Sequence, residues 1–313
     1  MKLLAYTDGR PNSAKALRFA AELKTRLGAE LAVITVRPGT SAIETPPPLG
    51  EEIPLHRRTD LPPGLQILAA AVDELTAGSL LDRPQAITIR ELRHGHLFVC
   101  KTPSGERVPF YECFGHFTEM LNYEIDQHRY DLLIIAPPRR NRVQRVVLGD
   151  TNRKLALDLH TSVLIVRGGG PNSRFLVCSD GSASGRRPFP LLKLLLPAIR
   201  PPIELLWARR SDTALEDVQR AEECLQLAQQ WLQACGKESL ATQLQGDQVV
   251  DLILATAGSD AVVLMGASLR HDVIRRTRGS LPMKVLARTE SSVLLAKLPP
   301  EADTGLFKDP FTC

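Results

Sequence analysis

The sequence predicts an α/β protein made of two tandem, doubly wound parallel-sheet domains. Three observations carry this. One opening phrase occurs twice, strand-like and helix-like segments alternate, and the candidates Asp131–Ala136 and Asp260–Gly266 are continuous apolar runs after their first residue. Alternating strands and helices imply a parallel sheet with helices on both faces. Uninterrupted apolar runs are what strands covered on both faces require. The 313 residues, 43% of them hydrophobic, suffice for two cores at about 100–200 residues each.

The first copy opens with Lys2-Leu-Leu-Ala-Tyr-Thr-Asp8-Gly9, and the second with Arg174-Phe-Leu-Val-Cys-Ser-Asp180-Gly181. Each is a short buried-strand run closed by an Asp-Gly turn. A helix follows in the first copy, with Ala16, Leu17, Ala20 and Leu23 at helical spacing; its counterpart is Leu191 to Ile199. The next strands are Glu30–Val36 and Ile203–Ala208. Later come Asp131–Ala136 and Asp260–Gly266, each followed by a basic loop, a glycine and a helix. The last strands are Ser162–Val166 and Ser292–Ala296. Gly168-Gly-Gly-Pro-Asn172 reads as the linker, giving domains at 1–170 and 171–298 and a loosely ordered tail at 299–313.

The copies differ in length. Asp8 to Gly149 spans 141 positions and Asp180 to Gly279 spans 99, a difference of 42. Part of the excess is a Pro-rich stretch, about 38–64, where Thr45-Pro-Pro-Pro48 and Leu61-Pro-Pro-Gly64 resist regular structure. The rest lies at about 94–117 and reads as a β-hairpin insertion turning at Ser104-Gly105. A two-residue turn there sets Val99 opposite Phe110 and His96 opposite Cys113. Leu97, Val99, Val108, Phe110 and Phe114 then form an apolar face that packs on a neighbour. His94, His96 and Cys113 share the other face, but no ligand quartet has a standard metal spacing, and no metal is assigned.

In a parallel α/β sheet, ligands sit beyond the carboxyl ends of the strands. In the second copy the Asp180 turn, the end of the strand at Trp207 and the loop 266–280 converge there. That loop reads Gly266-Ala-Ser-Leu269-Arg270 and ends at Arg278-Gly279-Ser280. Free N–H groups at a helix start, with a hydroxyl beside them, suit an anion. Charge alone does not separate this from a solvated basic loop, so the glycines decide.

The spacing Gly-x2-Gly-x9-Gly-Ser/Thr, after an apolar strand and with an early Asp, resembles the ATP-binding signature of the universal stress protein family. The resemblance covers residues 1 to 297 and implies two Rossmann-like, five-stranded domains pairing as an internal pseudo-dimer, with a homodimer as a further option. The second copy gives Gly266-x2-Leu269-x9-Gly279-Ser280 and loses the second glycine. The first gives Ala136-x2-Arg139-x9-Gly149-Asp150, which sets a carboxylate beside a phosphate position, and Pro137 and Pro138 each lack a backbone donor. The resemblance therefore implies ATP, or another adenine nucleotide, in the second copy. Ser179 and Asp180 would approach base and ribose, and the backbone at Trp207 the adenine. Gly266, Arg270, Gly279 and Ser280 would hold phosphates. The Trp207 side chain is large enough either to stack on the base or to fill the pocket. The runner-up is a degenerate member acting as a protein-interaction scaffold.

Other chemistry is excluded. There is no Gly-x-Ser-x-Gly elbow, no His-Glu-x-x-His and no Walker loop, and no acid/base pair is defined, so no enzyme is expected. The net charge of +4 does not by itself imply nucleic-acid binding, for which the basic residues would have to cluster, and no nucleic-acid partner is expected. The longest apolar stretch, Leu191 to Ile199, is far short of the about 20 residues a membrane helix needs. Six cysteines without CxxC spacing and the absence of an export signal suggest reduced thiols in the cytoplasm.

Overall fold

The computed structural model of the chain describes residues 1–39, 49–137, 158–200, 202–267 and 280–297. Its contacts divide the chain into two units, Met1–Arg139 and Arg140–Cys313. In the first lie β1 (Lys2–Tyr6), α1 (Pro11–Leu27), β2 (Glu30–Arg37), β3 (Glu52–Pro54), α2 (Pro63–Ala77), β4 (Ala86–Thr88), β5 (Arg90–Leu92), β6 (Gly95–Lys101), β7 (Arg107–Phe114), α3 (Phe117–His128) and β8 (Leu132–Ile135). In the second lie β9 (Ser162–Ile165), β10 (Phe175–Cys178), α4 (Ala183–Arg186), α5 (Pro188–Leu195), β11 (Ile203–Arg209), α6 (Leu215–Ala234), β12 (Ser239–Gln245), α7 (Val249–Ala257), β13 (Val262–Gly266), α8 (Leu281–Arg288) and β14 (Ser292–Ala296).

The first unit's sheet has the order β8-β1-β2-β7-β6-β5. Strands β8, β1, β2 and β7 are parallel, and β6 and β5 run antiparallel at the edge. Its centre is the buried set Leu3, Leu4, Val33, Ile34, Leu133 and Ile134. The predicted helix positions Ala16, Leu17, Ala20 and Leu23 are all buried on α1. That helix starts on Pro11, whose missing N–H costs nothing at the first helical position.

The second unit's sheet has the order β12-β11-β10-β13-β14-β9. The first five strands are parallel, as expected for a doubly wound domain, and β9 runs antiparallel to β14, with Leu294 opposite Leu164. By sequence β9 is the last strand of the first copy; its contacts place it in the second unit because β14 is its partner there. The glycine-rich linker is held too. Gly168 N–H donates to Glu290 O at 2.9 Å, and Ser292 N–H returns to Gly168 O at 2.9 Å.

Two expectations about the first copy need correction. Leu61-Pro-Pro-Gly64 does not resist structure: it launches α2, with Pro62 in the cap position and Pro63 at the start, and α2 buries Leu65, Leu68, Val72 and Leu75. Residues 52–54 also pair with 86–88; residues 40–48, with Thr45-Pro-Pro-Pro48, lie outside the described residues. The hairpin register is also shifted by one. Val99 faces Pro109, Phe98 faces Phe110, and His96 faces Glu112. The turn is longer than two residues: Thr102 N–H bonds Glu106 O at 2.9 Å and Gly105 N–H bonds Thr102 O at 2.8 Å. Gly105 has φ +84°, the left-handed residue that closes a three-residue hairpin loop with a bulge. A one-residue slip exchanges the faces. Phe98 and Phe110, not Val99 and Phe110, stack, with centroids 4.9 Å apart.

The hairpin is also no appendage. Its second strand, β7, pairs in parallel with β2 from Val33–Phe110 to Arg37–Phe114. It occupies the place that β12 takes beside β11 in the second unit. The extra material is therefore β5 and β6, which cover the outer edge of β7.

Candidate functional site

The two Asp-Gly turns are built alike. In the second unit Asp180 Oδ1 accepts from Ser182 N–H at 3.0 Å and from its hydroxyl at 2.5 Å. Ser182 Oγ in turn accepts from Gly185 N–H at 3.1 Å, capping α4. In the first unit Asp8 Oδ1 accepts from Arg10 N–H at 3.0 Å. Before the aspartate, Thr7 and Ser179 each accept from the following glycine N–H through their hydroxyls. Each aspartate thus closes an Asx turn at the mouth of its sheet through Oδ1, and Asp8 Oδ2 also lies 3.7 Å from Arg10 Nε. Ser179 is buried, 3.6 Å from Cys224 Sγ on α6.

The end of β13 is packed closely by α4. A Cβ on Gly266 would stand 1.8 Å from Ser184 O, so only glycine fits, whatever else lies nearby. Beside it Arg187 Nη1 donates to Ala267 O at 2.6 Å. The first unit has the same arrangement with different chemistry: Asn12 Nδ2 donates to Pro137 O at 3.0 Å. In both copies the carbonyl just past the strand is held by a side chain from the opening helical segment.

Trp207 is 4% exposed, and the Arg209 guanidinium lies over its ring, 5.6 Å from the centroid. Its side chain is filled in by the protein's own atoms rather than offered to solvent. Ser280 stands in the cap position of α8 with extended backbone, its hydroxyl making no cap hydrogen bond. The first turn of α8 has no acidic residue. Because β13 and β14 are parallel, α8 begins at the carboxyl end of the sheet, where the Asp180 turn also lies. Leu269, Arg270 and Gly279 of the second loop lie outside the described residues, as do Pro138, Arg139, Gly149 and Asp150 of the first.

Sequence reasoning missed a buried polar cluster in the first unit. Glu112 is fully buried on β7, its Oε2 2.8 Å from His96 Nδ1 and its Oε1 3.8 Å from Arg37 Nη1. The carboxylate sits against the start of α2, where a Cβ on Gly64 would stand 1.7 Å from Oε1. A carboxylate at a helix N-terminus is favoured by the helix dipole. Cys113, one residue on, faces the other way, toward Glu124 Oε1 at 3.8 Å on α3. Burial raises the Glu124 carboxyl and, more strongly, the Cys113 thiol. His96 and Cys113 therefore lie on opposite faces of the sheet. Among the described residues no three His, Cys, Asp or Glu side chains are grouped to hold a metal.

Among the described residues four buried cysteines carry free thiols: Cys100, Cys113, Cys178 and Cys224. Burial pushes Cys100 and Cys178 up to about 12. At the end of β14, Lys297 is buried and donates to Leu159 O at 2.5 Å. Burial lowers its amine to about 8. No described helix is long and apolar enough to cross a membrane.

The fold and the paired Asp-Gly turns define a doubly wound α/β protein in which each copy closes its first strand with the same turn. The chain belongs to the universal stress protein family, whose sequence model matches residues 1–167. Solved structures show the same fold at low identity. A universal stress protein from Archaeoglobus fulgidus DSM 4304 superimposes with a TM-score of 0.58 at 16% identity, covering 96% of this chain and 97% of that one. A protein of unknown function from Pseudomonas aeruginosa PAO1 gives 0.59 at 15%, covering 95% and 92%. No curated protein sequence matches.

Proposed function

We propose that the protein serves in stress response or signalling by binding an adenine nucleotide, ATP first among them, in its second copy, in the cytoplasm and without turnover. The observation that carries this is the start of α8. Ser280 leaves its hydroxyl out of helix capping and no acid occupies the first turn, so the helix dipole favours a phosphate there. Pro282 has no N–H and Met283 N–H bonds Ser280 O at 3.0 Å, which leaves Leu281 N–H as the first-turn donor. In this reading Gly266, Arg270, Gly279 and Ser280 hold phosphates, Ser179 and Asp180 face the ribose and base, and the backbone at Trp207 lines the adenine. In this reading the copies, counted by sequence, are 1–170 and 171–298. The pairing of the two copies as an internal pseudo-dimer belongs to the same reading.

The second reading is a scaffold that binds no nucleotide. The Arg209-covered, buried Trp207 favours it, because a base has to find room beside a filled strand end. Calorimetric titration with Mg-ATP, ATP, AMP and cyclic AMP separates the two. Binding is expected for wild type, abolished by Gly279→Asp and little changed by Gly149→Asp. The absence of heat at millimolar nucleotide removes the nucleotide reading, and equal losses in both variants overturn the choice of copy.

A further inference from the structure

The two units treat equivalent strands differently. In the first, the outer edge of β7 is covered by antiparallel β6, and the sheet ends at β5, three residues of which two, Arg90 and Glu91, are charged. In the second, β12 ends the sheet, and no described strand pairs with its outer side. Its sequence, Ser-Leu-Ala-Thr-Gln-Leu-Gln, has no charge and no proline, so it lacks the usual devices that blunt an open edge. Leu240 is 61% exposed.

The hydrogen-bond pattern shows which groups point outward. Ile203 N–H donates to Glu238 O, and Gly246 N–H donates to Arg209 O. Backbone groups alternate sides along a strand, so the even-numbered residues serve β11. Ser239, Ala241, Gln243 and Gln245 therefore present their N–H and C=O groups outward. Side chains alternate as well, so Leu240, Thr242 and Leu244 share one face.

We propose that this edge pairs with itself: two copies of the chain join antiparallel about Thr242 and continue the sheet across a two-fold axis. In this register Ser239 faces the partner's Gln245 and Ala241 faces the partner's Gln243. Every outward group finds a partner, because hydrogen-bonded pairs in an antiparallel ladder join outward residues only. Leu240 falls opposite the partner's Leu244 in a close, non-hydrogen-bonded pair, and Thr242 meets its own copy. Just beyond the strand ends Lys237, whose amine donates to Ile199 O at 2.6 Å, comes opposite the partner's Asp247, and the acid Glu238 comes opposite the partner's Gly246. An isologous contact of this kind closes as a dimer and does not propagate. A seven-residue strand pair is near or below the roughly 1,000 Å² at which stable interfaces begin, so a weak, concentration-dependent dimer is expected.

Sedimentation equilibrium of the full chain from about 1 to about 200 µM tests the dimer. Ala241→Pro removes one outward N–H at a position where an edge strand tolerates proline; it is expected to weaken association at least about tenfold with an unchanged circular dichroism spectrum. Register is tested separately in a background carrying Cys235→Ser and Cys313→Ser. There Thr242→Cys places two thiols across the axis, with Cα atoms about 4.5 Å apart, within disulfide reach. It is expected to cross-link under mild oxidation, whereas Leu240→Cys, which faces the partner's Leu244, does not. A chain monomeric at every concentration overturns the proposal. So does a dimer indifferent to Ala241→Pro, or Thr242→Cys cross-linking no faster than Leu240→Cys.

Discussion

At the scale of single residues, the informative groups are polar ones placed where water cannot reach. Glu112 is held by His96 and Arg37 against the bare Cα of Gly64. Gly64→Ala pushes a methyl into a fixed carboxylate and is expected to cost about 1–3 kcal/mol, the range for overpacking. In a Glu112→Ala background the same change should cost much less, and a double-mutant cycle by urea unfolding measures the difference. Lys297 carries a pH signature. Its amine titrates near 8 in the folded chain and near about 10.4 when unfolded. The unfolded state therefore binds more protons between these values, and stability rises with pH across that window. Relative to Lys297→Met, wild type is expected to gain on the order of 3 kcal/mol between pH 7.5 and 10.5, and the relative stability stays flat below about pH 7. Unfolding of both proteins across that range checks it. None of this was legible in the sequence. Glu112 reads as an ordinary polar residue alternating along a hairpin, and its burial depends on α2, which arrives from residue 63 onward.

At the scale of elements, continuous apolar runs were the readable part. Lys2–Tyr6, Glu30–Arg37, Leu132–Ile135 and Val262–Gly266 are strands where the sequence places strands, because a strand covered on both faces has few other ways to satisfy its side chains. The third strand of each sheet was hidden. β12 is half-polar with one side open, and β7 was masked by a turn that made it look like half of a surface hairpin. One glycine in the left-handed region decided the register, and the choice between two- and three-residue loops cannot be read from Ser104-Gly105 alone. The hairpin is tied back to the body by Glu106, which pairs with buried Lys24 on α1. Deleting residues 94–116 is therefore expected to unfold the first unit rather than trim its surface. Circular dichroism and limited proteolysis will show loss of helix and rapid cleavage; a deletion variant with native-like protection would refute the role of β7.

At the scale of the whole molecule, duplication was legible because both copies keep the same order of apolar run, Asp-Gly turn and late glycine. The candidate site was legible only as a set of positions. Asp180 and Asp8 mark the mouth of each sheet, but what they visibly do is close Asx turns, a task the sequence does not distinguish from ligand contact. The anchoring of the carbonyl past β8 and β13 was hidden altogether, since Asn12 and Arg187 share neither residue type nor alignment position. Divergence has preserved the requirement and changed the residue that meets it. The open β12 edge and the covered β7 edge are the other main asymmetry.

The buried thiols have a consequence for redox chemistry. Oxidants and alkylating agents attack the thiolate. A sulfur whose proton is held to about pH 12, as in Cys100 and Cys178, is ionised in about one molecule in 10⁵ at neutral pH. Cys113 is held more tightly still. These side chains therefore behave as small apolar fillers, and peroxide passing over the folded protein leaves them unchanged. At these three positions the interior is chemically quiet.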